Sequence, residues 1–334
     1  MAGDVGGRAK LCPVSGSGSH GKDSGRFYMA DLARRPVNHR VHLNSDQRRI
    51  GVIGLGLMGS ALTARFLEQG YRVVVWNRTR EKAGPLVGQG AEWGDNPLAT
   101  CERVIISLYT TEVVEGVLAE LGAGLRVGQI LVDTTTGEPG QTALLGARMA
   151  ERGVWYLDAP ISGSSEQTRR GEATVMVGGE DEPYEACADL WRVMGARVFH
   201  VGSCGSAARM KLISNLVLGL NRAALAEGLA FAEALGVSPA AALDVLAGSN
   251  AYSRAMDVKG RKMVERDFSV QARLTQHLKD VHLMLDAAAN AGLSLPLTET
   301  HRRLMEQAEA AGLGEQDNSA IIEVLRKRNP TLAS

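Results

Sequence analysis

The stretch IGVIGLGLMGSALTARFLEQGYRVVVWNRT, residues Ile50 to Thr79, decides the fold. Ile50 to Ile53 form a short apolar run, Gly54, Gly56 and Gly59 follow in GxGxxG spacing, and Ser60 to Gln69 show helical periodicity. Gly70 stops that helix, and Tyr71 to Trp76 form a β-branched second strand. The order strand, glycine turn, helix, strand is one βαβ unit. Each glycine answers a different demand: Gly54 permits a tight turn, Gly56 lets a diphosphate approach the backbone, and Gly59 allows close packing of helix on strand. The segment Gly54, Leu55, Gly56, Leu57, Met58 and Gly59 therefore predicts a dinucleotide diphosphate held at a helix N-terminus, where free amides and the positive dipole end meet it.

At the end of the second strand, about 20 residues after the glycines, NAD-preferring sites carry an acid that binds the ribose hydroxyls. Here the chain has Asn77, Arg78 and Thr79. A carboxylate would repel a 2′-phosphate, whereas a guanidinium pairs with it and a hydroxyl donates to it. NADP(H) is expected in preference to NAD(H).

Outward from this unit, strands and helices keep alternating. RVIISL (Arg103 to Leu108), QILVDTTT (Gln129 to Thr136) and VWYLDAP (Val154 to Pro160) read as strands, with a helix over Glu138 to Arg152. Ligands of doubly wound sheets lie beyond the carboxyl ends of the strands, so Leu108, Tyr109, Thr110, Thr136 and Ser162 are candidates to face the cofactor. ATVMVGG and ARVFHVG, around a helix from Tyr184 to Met194, are expected to extend the sheet. From Gly205 onward the pattern is helical. The fold class is thus α/β, a Rossmann-type doubly wound, mostly parallel sheet followed by an all-α C-terminal domain. The expected domains are a cofactor domain over 50–204 and a substrate and dimerisation domain over 205–330.

Residues 1–49 are rich in Gly, Ser, Arg and His without apolar periodicity and read as a disordered or loosely attached extension. Asp4, Asp23 and Asp31 argue against a transit peptide, and a mis-assigned start is the other reading. In the whole chain of 334 residues, Lys plus Arg and Asp plus Glu number 37 each, so no global field draws nucleic acid or an anionic membrane. No apolar run is long enough to span a bilayer. Cys12, Cys101, Cys187 and Cys204 show no redox-pair or metal spacing, which suggests a reducing, cytoplasmic setting. No metal site is expected. Cys204 reads as a small turn residue rather than a nucleophile.

GSCGSAARMKLISN, Gly202 to Asn215, begins as a loop of small residues and becomes a helix that carries Lys211 and, four residues later, Asn215. A lysine there could snorkel from an apolar helix; after a dinucleotide fold, it reads instead as a proton donor to a carbonyl oxygen that becomes negative on hydride transfer. Desolvation would bring its pKa toward neutrality. His200, His277 and His282 read as structural or surface histidines, and Arg254 as either an anion contact or a surface ion pair. Leu212 to Leu235 is apolar on more than one face, so it is expected to be buried between domains or subunits, most simply in a homodimer.

Taken in order, the glycine motif, DAPISGS and GSCGSAARMKLISN make the chain resemble the β-hydroxyacid dehydrogenase family, including 3-hydroxyisobutyrate dehydrogenase, and most of all its NADPH-dependent glyoxylate and succinic semialdehyde reductases. The resemblance covers about residues 50 to 326. It implies that Ser162, Gly163 and Ser164 cradle a substrate carboxylate, that Lys211 is the catalytic lysine with Asn215 as its companion, that Thr136 contacts the nicotinamide end, and that Lys279 of LKDVHL reaches toward the cofactor. The expected partner is a small carboxylate-bearing substrate, an aldehyde or keto acid in one direction and a hydroxy acid in the other. LYTTEVV and DTTT depart from the family pattern and leave that substrate open. An imine reductase is a second enzyme reading, against which Lys211 speaks; a catalytically silent NADP-binding sensor is a third, against which the intact Ser-Gly, Lys and Asn set speaks.

Overall fold

The computed structural model describes residues 48–326. The extension expected over 1–49 lies outside the described residues except for its last two positions, and Arg49 is already the first residue of β1 (Arg49–Ile53). Then follow α1 (Leu57–Glu68), β2 (Arg72–Trp76), a short α2 (Gly84–Val87), β3 (Glu92–Trp93), α3 (Pro97–Thr100) and β4 (Arg103–Ile106). The half closes with α4 (Thr111–Leu121), β5 (Ile130–Asp133), α5 (Pro139–Glu151) and β6 (Trp155–Asp158). These six strands form one sheet in the order β3-β2-β1-β4-β5-β6, all neighbours parallel.

Both faces of the sheet are buried, which is why its strands read as nearly continuous Val and Ile runs. Ile50, Val52, Ile105 and Val132 face Leu62, Phe66 and Trp191. Ile53, Val104, Ile106 and Leu131 face Leu118, Leu145 and Met149 on the other side. The period of two assigns alternate residues of each strand to the two layers.

The expected extension of the sheet does not occur. After β6 come β7 (Ile161–Ser162), α6 (Ser165–Arg170), β8 (Thr174–Val177), α7 (Asp181–Ala186), α8 (Ala188–Met194) and β9 (Arg197–His200), and the strands form a separate sheet ordered β7-β8-β9. Among the described residues, an antiparallel bridge between Asp158 and Gly178 ties it to β6. Pro160, which has no N–H, lies between β6 and β7, where the polypeptide leaves one sheet and enters the other. The helix expected over Tyr184 to Met194 is split at Cys187 into α7 and α8.

α9 (Ser206–Ala234) is 29 residues long. Around it pack α10 (Pro239–Ala247), α11 (Arg261–Glu265), α12 (Leu274–Asn290), α13 (Pro296–Ala308) and α14 (Ile322–Arg326), sharing a core of Leu225, Leu229, Met263, Leu278, Met305 and Ile321. Within the single chain α9 is enclosed on part of its surface only. Leu212, Leu225 and Leu229 are buried, but Ile213, Val217, Phe231 and Leu235 are exposed. Among the described residues no helix is long and apolar enough to cross a membrane.

Candidate active site

The glycine motif turns between β1 and α1. Gly54 has φ +96°, a conformation that L side chains rarely adopt. A Cβ on Gly59 would stand 1.9 Å from the Gly54 carbonyl oxygen, so helix and turn are in contact there. At Gly56, by contrast, a Cβ would meet nothing within 4 Å, which leaves open space above the backbone. α1 starts at Leu57, three residues earlier than the apolar period suggests, and its N-terminus has no side-chain cap. The sequence period misses this turn because two of its positions, Gly56 and Gly59, have no side chain to report a face.

Facing this turn, a cavity of about 650 Å³ runs from the carboxyl ends of the strands to α9 and α12. Gly54 to Met58, Asn77 to Thr79, Leu108, Tyr109, Thr136, Ser162 to Ser164, Lys211 and Asn215 all line it. Three of the sequence candidates do not. Gly59 lies beneath the turn, and the Thr110 hydroxyl caps α4 by accepting the Val113 N–H at 3.4 Å. Lys279 closes one edge: its Nζ donates to the carbonyl oxygens of Tyr109 at 3.0 Å and Thr136 at 2.8 Å, thereby joining α12 to the ends of β4 and β5.

At the β2 end of the cavity, the Asn77 side chain accepts the Leu55 N–H at 2.9 Å and donates to the Thr79 carbonyl at 2.8 Å. It fixes the β2 end against the glycine turn. Arg78 and Thr79 stay exposed on the rim, and Lys82, which the sequence reading missed, lines the cavity beside them. Its signal was available: Lys82 comes one helical turn after Arg78.

The other end is built on β7 and α9. Lys211 is 7% exposed, and its Nζ donates to the Ile161 carbonyl at 2.7 Å. This bond places the ammonium directly beside Ser162 and Gly163. Burial lowers its pKa to about 8; Asp280 opposes the shift and Lys279 adds to it. The Ser164 amide is not available to a substrate, because it donates to Gln167 Oε1 at 2.9 Å while Ser164 Oγ accepts the Gln167 N–H, a capping box that starts α6. Of the three-residue cradle expected from the resemblance, Ser164 thus spends its main-chain donor on a helix cap.

Asn215 Nδ2 donates to Asp280 Oδ2 at 2.9 Å, and Lys279 Nζ stands 3.3 Å from the other carboxylate oxygen. Asp280 is buried, lines the cavity and was missed in the sequence. Burial raises its carboxyl, with Lys279 and Lys211 pulling the other way. The signal lay in the residue after Lys279 in LKDVHL. Of the histidines, His200 stacks on Tyr184 and bonds the Gly179 carbonyl, and His282 faces Glu306, both away from the cavity. His277 departs from its structural reading by lining the cavity; Arg222 and the exposed Arg254 line it too. Burial pushes the Cys204 thiol up to about 12, so it is no nucleophile at neutral pH.

A dinucleotide turn and a buried lysine on one shared cavity define an NAD(P)-dependent oxidoreductase. Residues 49–202 match the family of the NAD binding domain of 6-phosphogluconate dehydrogenase, and residues 205–325 match the family described as NAD-binding of NADP-dependent 3-hydroxyisobutyrate dehydrogenase. Glyoxylate/succinic semialdehyde reductase 2, chloroplastic, of Arabidopsis thaliana is 30% identical over 283 residues, 83% of this chain and 79% of that one. 2-(Hydroxymethyl)glutarate dehydrogenase of Eubacterium barkeri is 31% identical over 283 residues, 83% and 94% of the two chains. Among solved structures, Psf3 in complex with NADP+ and 2-OPP has a TM-score of 0.76 and 30% identity, covering 83% of this chain and 99% of that one. The chain belongs to the β-hydroxyacid dehydrogenase family.

Proposed function

We propose that this enzyme reduces a short carboxylate-bearing aldehyde or keto acid with NADPH and oxidises the matching hydroxy acid in reverse. The observation that carries the reading is the Lys211 ammonium, buried beside Ser162 and Gly163 in the same cavity as the glycine turn. The residues fit the cofactor. The open space at Gly56 and the uncapped start of α1 suit a diphosphate, Leu108, Tyr109 and Thr136 suit the nicotinamide end, and Arg78, Thr79 and Lys82 suit a 2′-phosphate where no acid stands. These three residues support NADP(H) over NAD(H). When bound, the cofactor supplies or accepts the hydride. Lys211 delivers a proton to the substrate oxygen as charge develops there, and takes it back in oxidation. Asn215, held by Asp280, is placed one helical turn from the lysine to orient that oxygen. Free Cys101, Cys187 and Cys204 support a cytoplasmic setting, and the exposed apolar face of α9 supports a homodimer in which a second copy covers it.

The test is NADPH oxidation with glyoxylate, succinic semialdehyde, methylmalonate semialdehyde and a cyclic imine, using wild type and Lys211→Met. At least one of the carbonyl acids is expected to be reduced, with a loss of about 10²- to 10⁴-fold in the variant. Reduction of the imine alone, or an undiminished variant, overturns the reading.

A further inference from the structure

Beyond Asn215, α9 continues the same face with Gly219 and Arg222, at helical intervals of four and three residues. Arg222 is only 3% exposed and lines the cavity. Its Nε and Nη2 are enclosed, yet among the described residues they meet no acceptor. Beside it, His277 lines the cavity with Nε2 unpartnered, and His301 lies behind, its ring centroid 5.3 Å from that of His277. A Cβ on Gly219 would fall 2.5 Å from His277 Nε2 and 2.8 Å from His301 Cε1, so the glycine makes room for both rings.

The carboxylates nearby are engaged elsewhere. Both oxygens of Asp317 accept Lys259 Nζ at 2.8 Å, and the same group accepts the amides of Gln271, Ala272 and Ser319. Asp280 serves Asn215 and Lys279. Burial lowers Arg222 only to about 10, so it is charged at neutral pH. Burial, with the Arg222 charge adding to it, holds His277 and His301 far below the ordinary histidine range, so both are neutral. A buried, unpaired guanidinium with idle donors is unfavourable in a closed core, and it makes an anion receptor where a cavity brings an anion to it.

We propose that Arg222 and His277 form a second anion subsite, which takes the far carboxylate of a substrate whose reacting carbon lies at Lys211 and whose near carboxylate lies at Ser162 and Gly163. The substrate class is therefore a di-acid, a hydroxy or oxo acid with a carboxylate at each end. Arg222 pairs with the far carboxylate through its fork, and His277 adds a neutral N–H. This inference rests on the proposed hydroxyacid reaction, and it is tested with one readout that needs turnover and one that does not.

The first readout is kcat/KM for 2-(hydroxymethyl)glutarate and 3-hydroxyisobutyrate with NADP+. The two share the CH₂OH group and the near carboxylate and differ by one carboxymethyl group, which carries the far acid. Wild type is expected to favour the di-acid by about 10-fold or more, Arg222→Met to bring the ratio near one, and Arg222→Lys to keep part of it. The second is the rise in Tm of the NADP+-loaded enzyme with straight-chain dicarboxylates of four to seven carbons, against monocarboxylates of equal length. One dicarboxylate is expected to protect beyond its mono-acid, and Arg222→Met to lose that excess. If neither hydroxy acid is turned over while the Arg222-dependent protection persists, the reaction assignment fails and the subsite stands. If no dicarboxylate gives excess protection, or the excess survives in Arg222→Met, the subsite is overturned, whatever the enzyme oxidises.

Discussion

Asp158 and Ala208 join the end of a strand to the start of the helix that bears the lysine. Asp158 Oδ2 accepts the Ala208 N–H at 2.8 Å, and Oδ1 accepts that of Gly205 at 3.0 Å. α9 has no side-chain cap of its own, so this carboxylate at the end of β6 satisfies amides that the helix leaves open and sets its dipole against a negative charge. Lys211 lies one turn further on.

Asp158→Asn keeps one acceptor and turns an NH₂ toward the other amide. A loss of about 1–3 kcal/mol is expected in denaturant unfolding, together with a fall in kcat as the helix start loosens. A variant as stable as wild type would show that the cap contributes nothing.

The pH dependence follows from Lys211. With its pKa near 8, the lysine is an ammonium below that value and an amine above it. Reduction, which needs the acid, is expected to lose kcat/KM as pH rises through about 8, and oxidation, which needs the base, to gain it over the same range. Asp280 favours the charged lysine, so Asp280→Asn should move both profiles to lower pH. Profiles that stay in place or move upward in that variant would remove Asp280 from the electrostatics of the site.

Cofactor choice should lie with Arg78 and Lys82. Replacing either by Ala is expected to raise KM for NADPH by about 10-fold while leaving KM for NADH nearly unchanged, the difference being one charge-assisted contact to the 2′-phosphate. Equal losses with the two cofactors would place both side chains away from that phosphate.

The face of α9 that bears Ile213, Val217 and Phe231, exposed by 58%, 52% and 63%, should be covered in solution. Sedimentation equilibrium is expected to give at least twice the 35.5 kDa chain mass, and Phe231→Glu to shift it toward the monomer. A monomeric wild type would leave this face without a partner.

Much of the fold was legible because period and punctuation agree. The Val and Ile runs of β1 and β2 flank the glycine turn and the Gly70 helix stop, and Gly54 and Gly59 have roles that only a turn packed on a helix explains. β8 and β9 carry the same kind of run, but no local pattern says which sheet a strand joins; that is settled by tertiary pairing with β7. At the site, Lys211 stood out by following a loop of small residues. Arg222 did not, since an arginine in an apolar helix reads equally well as a stem on the surface, and only tertiary packing puts it inside. Thr110 was credited with a ligand contact because it follows a strand, and Ser164 through the family resemblance; each also caps a helix, the commoner use of such residues.

Lys211, Asn215 and Arg222 all stand on one face of a single unbroken helix. Eleven residues separate the first from the last, about 16 Å of axial rise. The helix itself fixes that interval. α9 is in this sense a ruler, graduated in whole turns of about 5.4 Å, and relocating the arginine by one graduation is the simplest way to re-gauge the enzyme for a shorter or longer molecule.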